Sequence, residues 1–316
     1  MRKKYLAIAL SFFISFQLFG QKEEIVNITS ETGIIEGTLL TPRALIKVPV
    51  VLIIAGSGPT DRNGNNPMMT NNSLKMLANS LAENKIASLR YDKRGIGKSK
   101  NAIIKEEDLR FENYIDDAES WIEFLKKDKR FNQIIIAGHS EGSLIGMIAS
   151  LNKNTGKFIS VAGAGKPAGN VLKMQLESQN EYVKTESYTI IEELEKANIV
   201  KDVPVILNSL FRLSVQPYLI SWFKYNPKEE IKKLKNIPVL IIQGTTDIQV
   251  TVEDAEKLHN SNPNSKLEII EGMNHILKEA PLNRELNIET YNNEDLPIKS
   301  ELMDIIVNFI KSSKNE

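Results

Sequence analysis

Gln133-Ile134-Ile135-Ile136-Ala137-Gly138-His139-Ser140-Glu141-Gly142-Ser143 is the stretch whose reading decides the fold. Residues 133–137 form an apolar run that reads as a buried strand, and residues 143–151 carry the spacing of a helix. Between them stands a serine flanked at two positions by glycine. In so tight a turn a Cβ at either flanking position collides with the neighbouring strand or helix, and the strained serine projects its hydroxyl clear of the sheet. The following helix aims its first amides at that point and favours developing negative charge there. The pentapeptide alone is common. The strand before it and the helix after it single it out.

Outward from this turn the chain alternates short apolar strands with amphipathic helices, the pattern of a largely parallel sheet covered on both faces. Residues 24–29 and 34–40, with Gly33 between them, predict an opening β-hairpin. Strands are predicted over 48–55, 86–91, 157–162, 237–242 and 266–270. Helices are predicted over 70–85, 113–129, 252–260 and 300–311; in the second, Ala118, Trp121, Ile122 and Leu125 share one face. The stretch from 167 to about 228 breaks the rhythm, because its apolar residues recur only at helical spacing. It is expected to be a helical cap inserted over one end of the sheet, with Leu210, Phe211, Leu213, Trp222 and Phe223 as candidates to shape a pocket. The fold class is therefore α/β: a doubly wound, mostly parallel sheet with one helical insertion, a single domain over 21–316.

A serine hydroxyl needs a base to become a nucleophile, and the chain has only three histidines. His139 adjoins the serine on the strained turn and reads as a packing residue. His259 lies in a polar tract at a helix end. His275 follows the strand 266–270 at its carboxyl end, where ligands sit in open α/β sheets, and is the candidate base. The carboxylate that orients it is expected to be Asp247, at the carboxyl end of the strand 237–242. Its rival Asp254 stands three residues after Thr251, the spacing of a capping box. An oxyanion hole needs preset backbone N–H groups. Glu141 supplies one, and Ser57 in the loop 56–64 the other, with Gly58 as the alternative. No GxxxxGK[ST] or GxGxxG completes that loop as a phosphate cradle.

Composition narrows the function classes. The chain has 316 residues, 41% hydrophobic and 25% charged, an ordinary globular mixture. Forty Lys and Arg balance forty Asp and Glu, so no basic excess advertises nucleic acid. The absence of Cys excludes disulfides, thiolate metal sites and a cysteine nucleophile. The scattered histidines predict no metal site, and no cofactor is expected. Residues 1–20 carry Arg2, Lys3 and Lys4 ahead of a short apolar run, and read as a signal peptide rather than a membrane anchor. Its removal leaves a net charge of −3. The expected product is periplasmic or secreted, without stable membrane insertion.

The chain resembles the α/β-hydrolases. Besides Gly138-His139-Ser140-Glu141-Gly142, residues 90–99 (RYDKRGIGKS) are similar to that family's loop after the fourth strand. Gly244-Thr245-Thr246-Asp247-Ile248-Gln249-Val250 resembles its acid segment and Met273-Asn274-His275 its histidine segment. The order Ser140, Asp247, His275 is the family's order. Residues 56–64 (GSGPTDRNG) resemble a bacterial carboxylesterase subgroup in which Gly-Ser-Gly-Pro-x-Asp-Arg stands where many relatives carry His-Gly. The resemblance implies hydrolysis of small carboxylic esters, with short to medium acyl chains, without a cofactor. A peptidase or amidase would use the same residues, and a non-catalytic binding protein could share the fold. Asp61, Arg62 and Arg94 are expected to serve turn chemistry and surface ion pairs.

Overall fold

The structure, a computed structural model, describes residues 21–103 and 105–312. The signal peptide expected over 1–20 lies outside the described residues. Among the described residues no helix is long and apolar enough to cross a membrane.

The chain opens with the hairpin β1 (Lys22–Ser30) and β2 (Gly33–Thr41), paired antiparallel around a two-residue turn. β3 (Val48–Ile54) follows, then α1 (Ser73–Glu83) and β4 (Ala87–Tyr91). After these come α2 (Phe111–Lys127), β5 (Phe131–His139), α3 (Glu141–Lys153) and β6 (Lys157–Val161). Five helices separate β6 from the next strand: α4 (Ala168–Leu176), α5 (Glu181–Glu195), α6 (Asn208–Phe211), α7 (Gln216–Phe223) and α8 (Pro227–Lys232). The alternation then resumes with β7 (Val239–Gly244), α9 (Val252–Ser261), β8 (Lys266–Ile270), α10 (Arg284–Glu289) and α11 (Ser300–Lys311). The eight strands lie in the order β1-β2-β4-β3-β5-β6-β7-β8, and all pairings beyond β2 and β4 are parallel.

The continuous apolar strands are explained by burial on both faces. In β3, Val50, Leu52 and Ile54 enter one core with α2, α3 and the inserted helices, while Val51 and Ile53 enter a second core with α1 and α11. β7 alternates in the same way, Val239 and Ile241 to the first core and Leu240 and Ile242 to the second. Lys157, at the amino end of β6, is buried and donates to the carbonyls of Phe309, Ile310 and Ser312, closing the last turn of α11. A cation there also suits the negative end of the helix.

Boundaries moved where local chemistry overrode periodicity. α1 begins three residues later than the pattern suggests because Asn72 takes a left-handed conformation, φ 55°. α2 begins two residues earlier because the Asn113 side chain accepts the N–H of Arg110. α3 begins directly after Ser140, so Glu141 and Gly142 are already helical. α10 has no counterpart in the sequence reading.

Candidate active site

Ser140 sits between β5 and α3 with φ 55° and ψ −120°, a strained conformation for a residue with a side chain. The two glycines are required by contact. A Cβ on Gly138 would lie 2.2 Å from the carbonyl oxygen of Gly142, and a Cβ on Gly142 would lie 2.3 Å from that of Ile54. The turn is closed by Ser140 N donating to Val161 O and Ser143 N to Ser140 O.

His275 Nδ1 lies 2.8 Å from Asp247 Oδ2. Asp247 Oδ1 accepts the N–H groups of Gln249 and Val250, and its Oδ2 also accepts Gln243 Nε2 at 2.9 Å. Burial by itself would raise the Asp247 pKa; the charge and hydrogen bond of His275, with the two amides, bring it below the ordinary carboxylate value. Asp247 is thus an anion that fixes one nitrogen of the ring and leaves Nε2 for proton transfer. The Ser140 hydroxyl makes no hydrogen bond among the described residues; such contacts commonly tighten only around bound substrate.

His139 does more than pack. Its ring lies 4.8 Å from that of His275, and its Nε2 donates to the His275 carbonyl oxygen at 2.8 Å. A carbonyl can only accept, so Nε2 carries the proton and Nδ1 is bare. Burial, with His275 alongside, lowers the His139 pKa to about 4, which keeps it neutral. His139 therefore anchors the backbone that carries His275. His259, at the end of α9, pairs instead with Ser265. Asp254 caps α9, accepting from the backbone and hydroxyl of Thr251.

The acid and histidine loops are fastened to each other by carboxamides. The Asn287 side chain, on α10, donates to the carbonyls of Thr246 and Pro281, and Asn274 reaches Asn287 and Thr290. Gln243, the polar residue that interrupts the apolar run of β7, holds Asp247 and the Val250 carbonyl together. These supporting residues escaped sequence reasoning. Gln243 is the one with a signal, a polar side chain inside a buried strand.

The loop 56–64 passes beside the turn, and a Cβ on Gly56 would lie 3.1 Å from Ser140 Cβ. Neither the N–H of Ser57 nor that of Glu141 has a hydrogen-bond acceptor among the described residues, and both residues line the same cavity as Ser140. The Glu141 side chain is fully engaged. Oε2 accepts Lys93 Nζ at 2.8 Å, and Oε1 accepts the hydroxyl of Tyr218 on α7. Burial beside Glu141 pushes the Tyr218 pKa far up, so it remains a donor.

The expectation of surface ion pairs for Arg62 and Arg94 needs correction. Arg62 is buried and donates to Asp92, Glu36 and Thr38. Arg94 makes a two-pronged pair with buried Asp117, at 2.5 and 2.7 Å. Both arginines tie loops down from within: Arg62 fastens the loop 56–64 to β2 and Asp92, and Arg94, which lines the cavity under the inserted helices, fastens the loop after β4 to α2. Asp61 does serve its turn, accepting the N–H groups of Asn63 and Asn65.

A cavity of about 850 Å³ lies between Ser140 and the inserted helices. Its apolar walls include Leu144 of α3, Val171 and Leu172 of α4, and Leu219 and Trp222 of α7. Of the cap residues expected to shape it, Leu210 and Trp222 do so. Phe211 is buried in the core instead, Leu213 is half exposed and Phe223 packs against the core. Aromatic contacts of Phe111 with Trp222 and of Tyr114 with Tyr218 fasten α7 to α2. Among the described residues no cluster of His, Asp and Glu is placed to hold a metal ion.

The family described as "Serine aminopeptidase, S33" matches residues 69–195. Esterase EstD of Thermotoga maritima is 26% identical over 257 residues, 76% of this chain; the chain spans 57% of the length of that curated relative. Among solved structures, Est1E from Butyrivibrio proteoclasticus with ferulic acid bound has a TM-score of 0.63 at 20% identity, covering 91% of this chain and all of that one. The α/β hydrolase GrgF from Penicillium has a TM-score of 0.59 at 19% identity, covering 92% of this chain and 98% of its own. The strand order and these likenesses show the α/β-hydrolase fold.

Proposed function

We propose that this chain, on its α/β-hydrolase fold, is a serine carboxylesterase acting on small esters with short to medium acyl chains. Ser140 Oγ attacks the ester carbonyl carbon as His275 Nε2 takes its proton, and the N–H groups of Ser57 and Glu141 receive the charge on the carbonyl oxygen. His275 returns the proton to the leaving alcohol, which departs and leaves an acyl-Ser140. Water, deprotonated by the same histidine, then cleaves that ester and releases the acid. Asp247 holds the ring and balances its transient charge. The observation that supports the reading is a strained Ser140 at the strand–helix turn together with a buried Asp247–His275 hydrogen bond, the turn being tied to the histidine loop by His139, which donates to the His275 carbonyl. The esterases among the relatives and the apolar cavity support it.

A peptidase is the second reading, raised by the family that matches residues 69–195. An aminopeptidase must anchor a free ammonium, and the acids lining the cavity are already committed: Glu141 to Lys93 and Tyr218, Glu106 to Arg212. This favours the ester. We also propose export through residues 1–20, which a periplasmic product beginning near residue 21 would support.

The test is turnover of p-nitrophenyl esters of increasing acyl length beside Ser140→Ala. The expected result is a maximum at short or medium chains and a loss in the variant on the order of 10⁶ in kcat. Absence of turnover at every length, with Ser140 unlabelled by a serine-reactive phosphonate, would leave a binding protein on this fold.

A further inference from the structure

Next to the proposed oxyanion donors lies a buried charge cluster that the reaction as written does not use. Lys93, 1% exposed and carried by the loop after β4, sends its ammonium to Gly56 O at 2.6 Å and to Glu141 Oε2 at 2.8 Å. It also lies 4.8 Å from the centre of the Tyr114 ring. The Glu141 carboxylate is as deeply buried as its partner. Taking two charges out of water is seldom repaid in stability by their attraction, so such a pair invites another explanation.

The explanation lies in the covalent chain. Gly56 C=O and Ser57 N–H belong to one planar peptide unit, and the described residues contain no cis peptide, so the two point in opposite directions. Lys93 grips the oxygen and thereby fixes the direction of the Ser57 N–H, which points the opposite way; Lys93 and Ser57 both line the cavity that holds Ser140. A cation on the oxygen also polarises the unit and strengthens its N–H as a donor. The second contact of the same ammonium fixes the Glu141 side chain, whose backbone N–H opens α3 at the turn.

We propose that Lys93 is a positioning residue that presets both oxyanion donors, Ser57 N–H and Glu141 N–H, through one ammonium, with Tyr218 holding the cap in register with the same carboxylate. This rests on the esterase reading above. It assigns Lys93, Glu141 and Tyr218 a role that appears only when negative charge develops on the substrate oxygen.

The test replaces both charges together, Lys93→Met with Glu141→Gln, so that no buried ion loses its partner. The expected double variant melts near the parent temperature and keeps its KM for p-nitrophenyl butyrate, while kcat falls ~10–100-fold, a fraction of the loss from deleting a donor outright. Affinity for an aryl trifluoromethyl ketone, whose adduct on Ser140 places an oxyanion between the donors, falls by the same factor. A folded double variant with parental kcat and ketone affinity overturns the proposal, as does a loss confined to KM and melting temperature. Should the double variant fail to fold, Tyr218→Phe decides. A several-fold loss in kcat and ketone affinity together upholds the proposal, and parental values overturn it. Turnover surviving in Ser140→Ala would instead break the esterase reading itself.

Discussion

On one side of Ser140 the loops are held mainly by neutral amides, with the buried Lys278 ammonium on the Asn293 carbonyl as an exception; on the other they are held by buried charge pairs. Asn274, Asn287 and Gln243 knit the acid and histidine loops through carboxamide hydrogen bonds. Lys93–Glu141, Arg62–Asp92 and Arg94–Asp117 pin the turn, the loop 56–64 and the loop after β4. On the proposed reaction, the amide side supports the His275 ring that passes the proton. On the same reading, the charged side supports the backbone N–H groups of Ser57 and Glu141. The contrast is between loops fastened mainly by neutral hydrogen bonds and loops fastened by matched buried ion pairs.

The largest effect should come from the charged side. Asp117→Ala strands the Arg94 guanidinium in the interior, and denaturant unfolding should show a loss of about 3–5 kcal/mol. Arg94→Met with Asp117→Leu should recover most of it, since an apolar pair replaces a buried ion pair at little cost. If the double replacement is as damaging as the single one, the ions are doing something other than filling and fastening.

Acid stability sharpens the comparison next. His139 is neutral in the fold down to about pH 4 but charges near its ordinary value when unfolded. The unfolded state therefore binds more protons between about pH 6.5 and 4, and stability falls as pH falls through that window, by about 3 kcal/mol in all. The contribution is fully present above pH 6.5. His139→Gln should flatten this part of the stability–pH curve, measured by urea unfolding at successive pH values. An unchanged slope would locate the acid sensitivity elsewhere.

A smaller loss is expected on the amide side. Asn287→Ala removes donors to Thr246 and Pro281 and should cost about 1–3 kcal/mol, with no second substitution able to restore it as a matched pair can. Gln243→Leu keeps the volume and leaves Asp247 three of its four donors, so a loss nearer 1 kcal/mol is expected, with kcat lowered more than KM. An Asn287→Ala variant as damaging as Asp117→Ala would erase the distinction between the two sides.

Much of the scaffold was legible because two-sided burial writes itself as unbroken apolar runs: residues 48–55 and 237–242 could hardly be anything but central strands. The turn at Ser140 was legible because its steric demand excludes every residue but glycine at two positions. Asp247 and His275 were found by place, at the carboxyl ends of strands, and they do meet. What stayed hidden were partnerships across the chain. Lys93 and Glu141 stand 48 positions apart and Glu141 and Tyr218 77, and nothing local marks either as buried. The bias toward surface pairs for Arg62 and Arg94 came from treating charge as a sign of exposure, while each finds a buried carboxylate distant in sequence, Asp92 and Asp117. Within those helices periodicity identified apolar residues but not which wall they face, so Phe211 was taken for the cavity and Leu172 was missed. The short α10 is secured by Asn287 rather than by an apolar stripe, and left no pattern to read.

The grip of Lys157 on the last turn of α11 has a practical side. It fastens the end of that helix at the amino ends of the strands, whereas Ser140, Asp247 and His275 stand at the carboxyl ends. A surface linkage introduced near Ser312 would thus attach the protein to a support by the edge opposite its cavity, leaving the mouth turned toward the solution and its substrate.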